Sequence, residues 1–130
     1  METKYSYKDL DAYKEAKLLV RKVYELLKLF PKEEQFALCD QLRRAVISVP
    51  SNLAEGSGRY SNKEQMHFLE IAYGSLLEVE CQMDIAHDIA YISDEQLSDV
   101  NAQIRKVAAL LSGLRNKRMN NHSSSHPLTH

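Results

Sequence analysis

Val49-Pro50-Ser51-Asn52-Leu53-Ala54-Glu55-Gly56-Ser57-Gly58-Arg59 is the stretch where regular helical patterning meets special chemistry. Pro50 stands inside an apolar repeat that enters through Leu38, Leu42, Ala45, Val46 and Val49 and leaves through Leu53 and Ala54. A proline there removes one backbone donor and crowds the Val46 carbonyl, costing ~3 kcal/mol in a regular helix. The apolar face survives it, so the stretch predicts a kinked helix, with Ser48 or Ser51 placed to bond the freed carbonyl. Gly56 is the expected stop, because glycine takes the left-handed conformation a helix end needs. Gly56-Ser57-Gly58-Arg59 also has the form of an anion cradle. It lacks the Gly-Lys-Ser/Thr ending and preceding strand of a nucleotide loop, which leaves a glycine-requiring turn as the plainer reading.

Working outward, a first helix is expected from about Lys8 to Phe30, with Ala12, Ala16, Leu19, Val23, Leu26 and Phe30 forming one stripe. Pro31 ends it, and Lys32-Glu33-Glu34 opens the second helix with acids suited to its positive end. Downstream, Ser61-Asn62-Lys63-Glu64 is a capping box. Leu69, Ala72, Leu76, Val79, Met83, Ala86 and Ala90 then form a coiled-coil seam, implying a helix of roughly 30 residues and about 45 Å. Phe68, Ile71, Ile85, Ile89 and Ile92 widen its buried face, around Ser75, Glu78 and Gln82. Ser93-Asp94-Glu95-Gln96 repeats the cap signature before the seam Leu97, Val100, Ile104, Val107, Leu111 and Leu114. The pattern predicts an all-α, antiparallel up-down-up-down four-helix bundle over residues 1–118, helix two kinked at Pro50, followed by a disordered tail over 119–130.

The totals fit one globular domain: 130 residues, 44% hydrophobic, 27% charged and a net charge of −1 that gives no global attraction to nucleic acid. No apolar run reaches the ~18 residues of a membrane span, and the start has no signal-peptide shape, which predicts a cytoplasmic protein without a membrane partner. Cys39 and Cys81 are expected as buried reduced thiols.

Arg43 and Arg44 are the expected partners of Glu55 or Glu78, and Arg59 of a carboxylate on a neighbouring helix or subunit. No histidine or second acid lies at a spacing that would join them as a catalytic set. Glu64-x-x-His67 and Asp84-x-x-His87 have the spacing of di-iron bundles, but both lie on one helix and off its seam. His122, His126 and His130 fall in the tail. No metal or cofactor is predicted.

Charge is unevenly spread. Helix three carries Glu64, Glu70, Glu78, Glu80, Asp84 and Asp88 against one lysine, whereas helices one and four are basic. Such a bundle has an acidic and a basic side, which head-to-tail association would pair. Off-seam Tyr13, Val20, Tyr24, Leu27, Tyr73, Leu77 and Tyr91 point to a second buried face.

From Gln41 through Arg59, and again at Glu64, Phe68-Leu69-Glu70-Ile71-Ala72, Gly74-Ser75-Leu76 and Glu78, the chain resembles the four-helix-bundle family of proteins encoded in 23S rRNA intervening sequences. That family is similar in turn to the accessory variability determinant of diversity-generating retroelements, a barrel-like homopentamer that binds nucleic acid and a reverse transcriptase. The resemblance implies a homopentameric scaffold or accessory factor without a catalytic site, in which Pro50, Asn52, Glu55, Gly56, Gly58 and Arg59 are structural or interfacial. The expected function is a non-catalytic oligomer that meets RNA, DNA or a protein partner. Arg21, Lys22, Arg105, Lys106, Arg115, Lys117 and Arg118 would contact phosphates without reading sequence. The alternative, a metal- or phosphate-dependent enzyme, requires polar groups converging inside the bundle.

Overall fold

The computed structural model describes the backbone of residues 6–129 and the side chains of residues 6–120. Four α-helices follow one another: α1 (Asp11–Leu27), α2 (Leu38–Ser57), α3 (Asn62–Asp88) and α4 (Asp94–Thr129). Among the described residues there is no strand, and no helix is long and apolar enough to cross a membrane.

Cross-helix pairs set the directions. Glu15 and Lys22 of α1 meet Gln103 and Asp99 of α4, so residue numbers rise on one helix as they fall on the other. Gln41 and Ser48 of α2 meet Gln82 and Ser75 of α3 in the same antiparallel sense. Asn62 and His87 of α3 reach Arg118 and Asp94 of α4. Among the described residues α1 packs on α2 and α4, and α3 packs on α2 and α4. Four rods so joined run up, down, up and down.

Local signals explain most boundaries, and some differ from the sequence reading. Ser6 caps a separate 3-10 turn (Tyr7–Asp9) by accepting from the Lys8 N–H, which delays α1 to Asp11. Leu27, expected off the stripe, is buried, whereas Leu26 is half-buried. A straight helix drifts against a strict three-four repeat, and by the last turn the buried line has moved one position. Lys32–Glu34 forms a second 3-10 turn rather than the start of α2. Glu34 still acts as a cap, its carboxylate accepting from the Leu38 N–H at 3.4 Å.

α2 continues through Pro50 to Ser57, so the proline does not end it. Ser48 and Asn52 bond each other beside the proline: the Asn52 amide donates to the Ser48 carbonyl at 2.8 Å and hydroxyl at 2.9 Å. Gly56 is not the left-handed stop. It lies buried within the helix, and the cap residue Gly58 has a right-handed φ of −89°. What Gly56 provides is clearance: a Cβ there would sit 2.8 Å from the Cβ of Phe68 on α3, a separation that real Cβ atoms do not reach.

Ser61 accepts from the Glu64 N–H at 3.0 Å, as its capping box predicts. The α3 seam ends earlier than expected, because Ala90 takes the left-handed conformation (φ 68°) and Tyr91 donates its N–H to the Ala86 carbonyl. Ala90 is therefore exposed, not part of the core. Ser93 and Gln96 cap α4 reciprocally, at 2.7 and 3.1 Å. α4 runs to Thr129 rather than ending near Arg118; no glycine or proline, the strongest helix breakers, stands between Leu114 and His126. The side chains of residues 121–130, including the three tail histidines, lie outside the described residues.

The four seams close on one core of Leu19, Val23, Leu42, Val46, Leu76, Met83, Val107 and their neighbours. Gln82 and Gln103 are the buried polar residues within it. Because Gly56 is sterically pinned and Gly58 is not, alanine should separate them. Gly56→Ala should cost about 1–3 kcal/mol through overpacking. Gly58→Ala, whose Cβ would meet the Glu55 carbonyl at an ordinary 3.6 Å, should be neutral or stabilising by up to about 1 kcal/mol in urea denaturation.

Candidate functional site

The α1–α4 junction absorbs part of the expected phosphate-binding set. Lys22 pairs with Asp99 at 3.0 Å and Lys106 with Glu15 at 3.6 Å. Gln103, buried between them, donates to both the carbonyl and the carboxylate of Glu15 at 2.9 Å. That amide bond holds the Glu15 carboxyl below its usual range against the opposing effect of burial, with Lys106 assisting. Arg118 is also committed: its Nε donates to Gln65 at 3.1 Å and its carbonyl accepts from Asn62. Arg21, Arg105, Arg115 and Lys117 carry no carboxylate partner among the described residues, and all four are exposed.

On α2 and α3 the expected arginine–glutamate pairs do not form. Arg43 donates to the carbonyl and side chain of Gln35, at 3.2 and 2.8 Å, and Arg44 bonds Asp40 at 2.9 Å. Glu78 is exposed and accepts from Gln82, so no buried charge calls for an arginine there. Glu55 pairs with Arg59 one turn along its own helix, at 3.0 Å. The Arg59 guanidinium also covers the Phe68 ring, 4.8 Å from its centroid, and the Gly58 and Arg59 N–H groups of the expected anion cradle donate to the Glu55 and Gly56 carbonyls. Pro50 and Gly56 are buried, Asn52 half-buried, and Glu55, Gly58 and Arg59 ring the turn. The motif thus acts locally, to fix how α2 meets α3.

Burial pushes the Cys39 thiol up, whereas Cys81 lies exposed, contrary to expectation, on the outward side of α3. His67 is exposed and stacks edge-on with Phe68; His87 is half-buried and bonds Asp94. Among the described residues no three His, Cys, Asp or Glu side chains converge as a metal would need.

What the bundle leaves over is apolar surface. Ile71, Ser75, Glu78, Gln82, Ile85 and Ile89 alternate by four and three, making a second stripe on α3 beside its core seam. Ser75 and Gln82 are used against α2, donating to Ser48 at 2.8 Å and Gln41 at 3.0 Å. Ile71, Ile85 and Ile89 are exposed, where the sequence reading had them buried. Tyr24, Tyr73 and Leu77 are exposed as expected, while Tyr13, Val20 and Tyr91 pack against the core. Two further exposed aromatics escaped the sequence reading: Phe36, 94% exposed, and Tyr60. Both sit in connecting segments where no period marks them. Phe36 alone left a trace, an aromatic residue out of phase with Leu38 and Leu42.

The sequence profile of the 23S rRNA-intervening sequence proteins matches residues 8–113. The chain belongs to that family. No curated protein matches the chain. Among solved structures, a protein with unknown function from the S23 ribosomal protein family of Bacteroides thetaiotaomicron is similar at 21% identity. The match covers 81% of this chain and 95% of that one, with a TM-score of 0.74. At that identity it establishes a shared fold.

The Glu15 cluster makes stability in this family member depend on pH. A carboxyl held below its unfolded value stabilises the fold above that value and loses the effect as pH falls through the folded one. Glu15→Gln should therefore lower the melting temperature near pH 6, and the gap from wild type should close by about pH 3. A gap that stays constant across that range would count against the cluster.

Proposed function

We propose that the protein is a non-catalytic, self-associating helical module, a homopentamer by its resemblance to the accessory determinant of retroelements. The supporting observation is the second stripe of α3. Isoleucines spaced for helix packing, at 37%, 44% and 48% exposure for Ile71, Ile85 and Ile89, are left uncovered by the described residues. Charge supports the same reading. Glu64, Glu70, Glu78, Glu80 and Asp84 of α3 have no cationic partner among the described residues, and Arg21, Arg105, Arg115 and Lys117 of α1 and α4 have no anionic one. Copies placed acid to base would neutralise both sets.

Light scattering tests this. The wild type should exceed its 14.9 kDa monomer mass severalfold. Ile85→Lys should lower the mass without loss of helical circular dichroism. A wild type that stays at monomer mass at high concentration would overturn the reading.

A second role rests on the free cations: sequence-independent contact with RNA or DNA. With Lys22, Lys106 and Arg118 engaged inside the fold, four of the seven expected side chains remain for phosphates. Gel shifts on duplex DNA across a salt series should then give a log–log slope of about −3 to −4, not the roughly −6 of all seven. Absence of a complex at low salt would leave protein partners alone.

A further inference from the structure

We infer that Phe36 is a knob that enters a socket between α3 and α4 of a second copy, an inference that rests on the self-association proposed above. The knob is built to be presented. Its neighbour Gln35 is clamped by Arg43 through both its carbonyl (3.2 Å) and its side chain (2.8 Å), and the Ala37 N–H donates to the Glu34 carbonyl at 3.0 Å. The backbone on either side of a 94% exposed phenyl ring is thereby fixed, so little freedom is lost when the ring is covered.

The socket is a cavity of about 310 Å³ lined by Leu69, Tyr73, Gly74 and Leu111, with Glu70 and Arg115 at its polar edge. A space of ~150 Å³ holds a benzene ring, so a phenyl group has ample room. The space beside Gly74 is open, since a Cβ there would meet nothing within 4 Å. The charges also match. Lys32 and Glu33 flank the knob, Glu70 and Arg115 flank the socket, and none of the four has an ionic partner among the described residues. Lys32 faces Glu70 and Glu33 faces Arg115 across the contact.

Knob and socket lie toward opposite ends of the bundle. Phe36 precedes α2, and Leu69 and Gly74 belong to the half of α3 that begins at the far end of α2. A chain therefore cannot fill its own socket, and the contact is head-to-tail. Such a contact closes into a ring or extends as a filament.

Sedimentation velocity on single and mixed variants tests this. Phe36→Ala removes the knob and Gly74→Phe fills the socket. Each should raise the dissociation constant of assembly at least tenfold while helical circular dichroism is retained. Mixed in equal amounts, they should form a heterodimer that grows no further, because one sound knob meets one sound socket. Lys32→Glu should weaken assembly, and adding Glu70→Lys should restore it, an arm independent of the other two variants. An assembled wild type whose variants all assemble equally well would overturn the knob and leave self-association standing. A monomeric wild type would overturn both.

Discussion

The distance of closest approach between α2 and α3 governs the rest of the fold. Gly56 has no side chain where one would strike the Phe68 Cβ, and this clearance lets the two helices close at their shared turn. Phe68, so placed, offers its ring face to Arg59, which is held in turn by Glu55. The Arg59 carbonyl accepts from Gln65 at 2.8 Å, and Gln65 receives Arg118 from α4. One missing methyl group thus supports a chain of contacts that runs from α2 through α3 to α4. At the opposite end Tyr91 has the corresponding part. Its hydroxyl donates to Glu34 at 2.8 Å, a bond that raises its pKa, and its ring meets Phe30 at 5.2 Å.

α3 is the helix with more capacity than the bundle uses. Its core seam is buried from Leu69 to Ala86, yet a second stripe of the same period runs beside it. The polar middle of that stripe bonds α2, and its isoleucine ends do not. A helix apolar on two flanks suits a position between its own bundle and a neighbouring one, since exposed apolar area of this extent is costly to leave in water. The acids on its outer side keep that surface hydrated in a free chain and set the sign of any partner.

Element number, seams and caps were legible in the sequence because each has a local cause. Ser61 and Ser93 bond the residues three positions on, as their capping boxes require. Leu69, Ala72, Leu76, Val79, Met83 and Ala86 are all buried. Long-range geometry was not legible. Gly56 reads locally as a turn glycine, and only the position of Phe68, twelve residues on, shows it to be a packing glycine. Ala90 adopts the left-handed conformation that chemistry assigns to glycine, so the true stop of α3 carried no glycine signal. The arginine partners failed for a related reason: Asp40 lies one turn from Arg44 and Gln35 eight residues before Arg43, and near neighbours win over the more distant Glu55 and Glu78.

The proposed assembly and the proposed nucleic-acid contact would draw on the same few cations. A near-neutral chain has no surplus to spend: Lys22 and Lys106 hold α1 to α4, and Arg118 holds α4 to the α2–α3 turn. If Arg115 meets Glu33 of a neighbour, Arg21, Arg105 and Lys117 are what each subunit offers a phosphate backbone. Three weak contacts per chain carry little affinity alone. Repeated around a closed ring they would act together, because the first contact raises the effective concentration of the others. On that proposal oligomerisation would remove one free cation per subunit yet raise the avidity of the whole, so a monomeric form would be the poorer polyanion binder despite its extra free arginine.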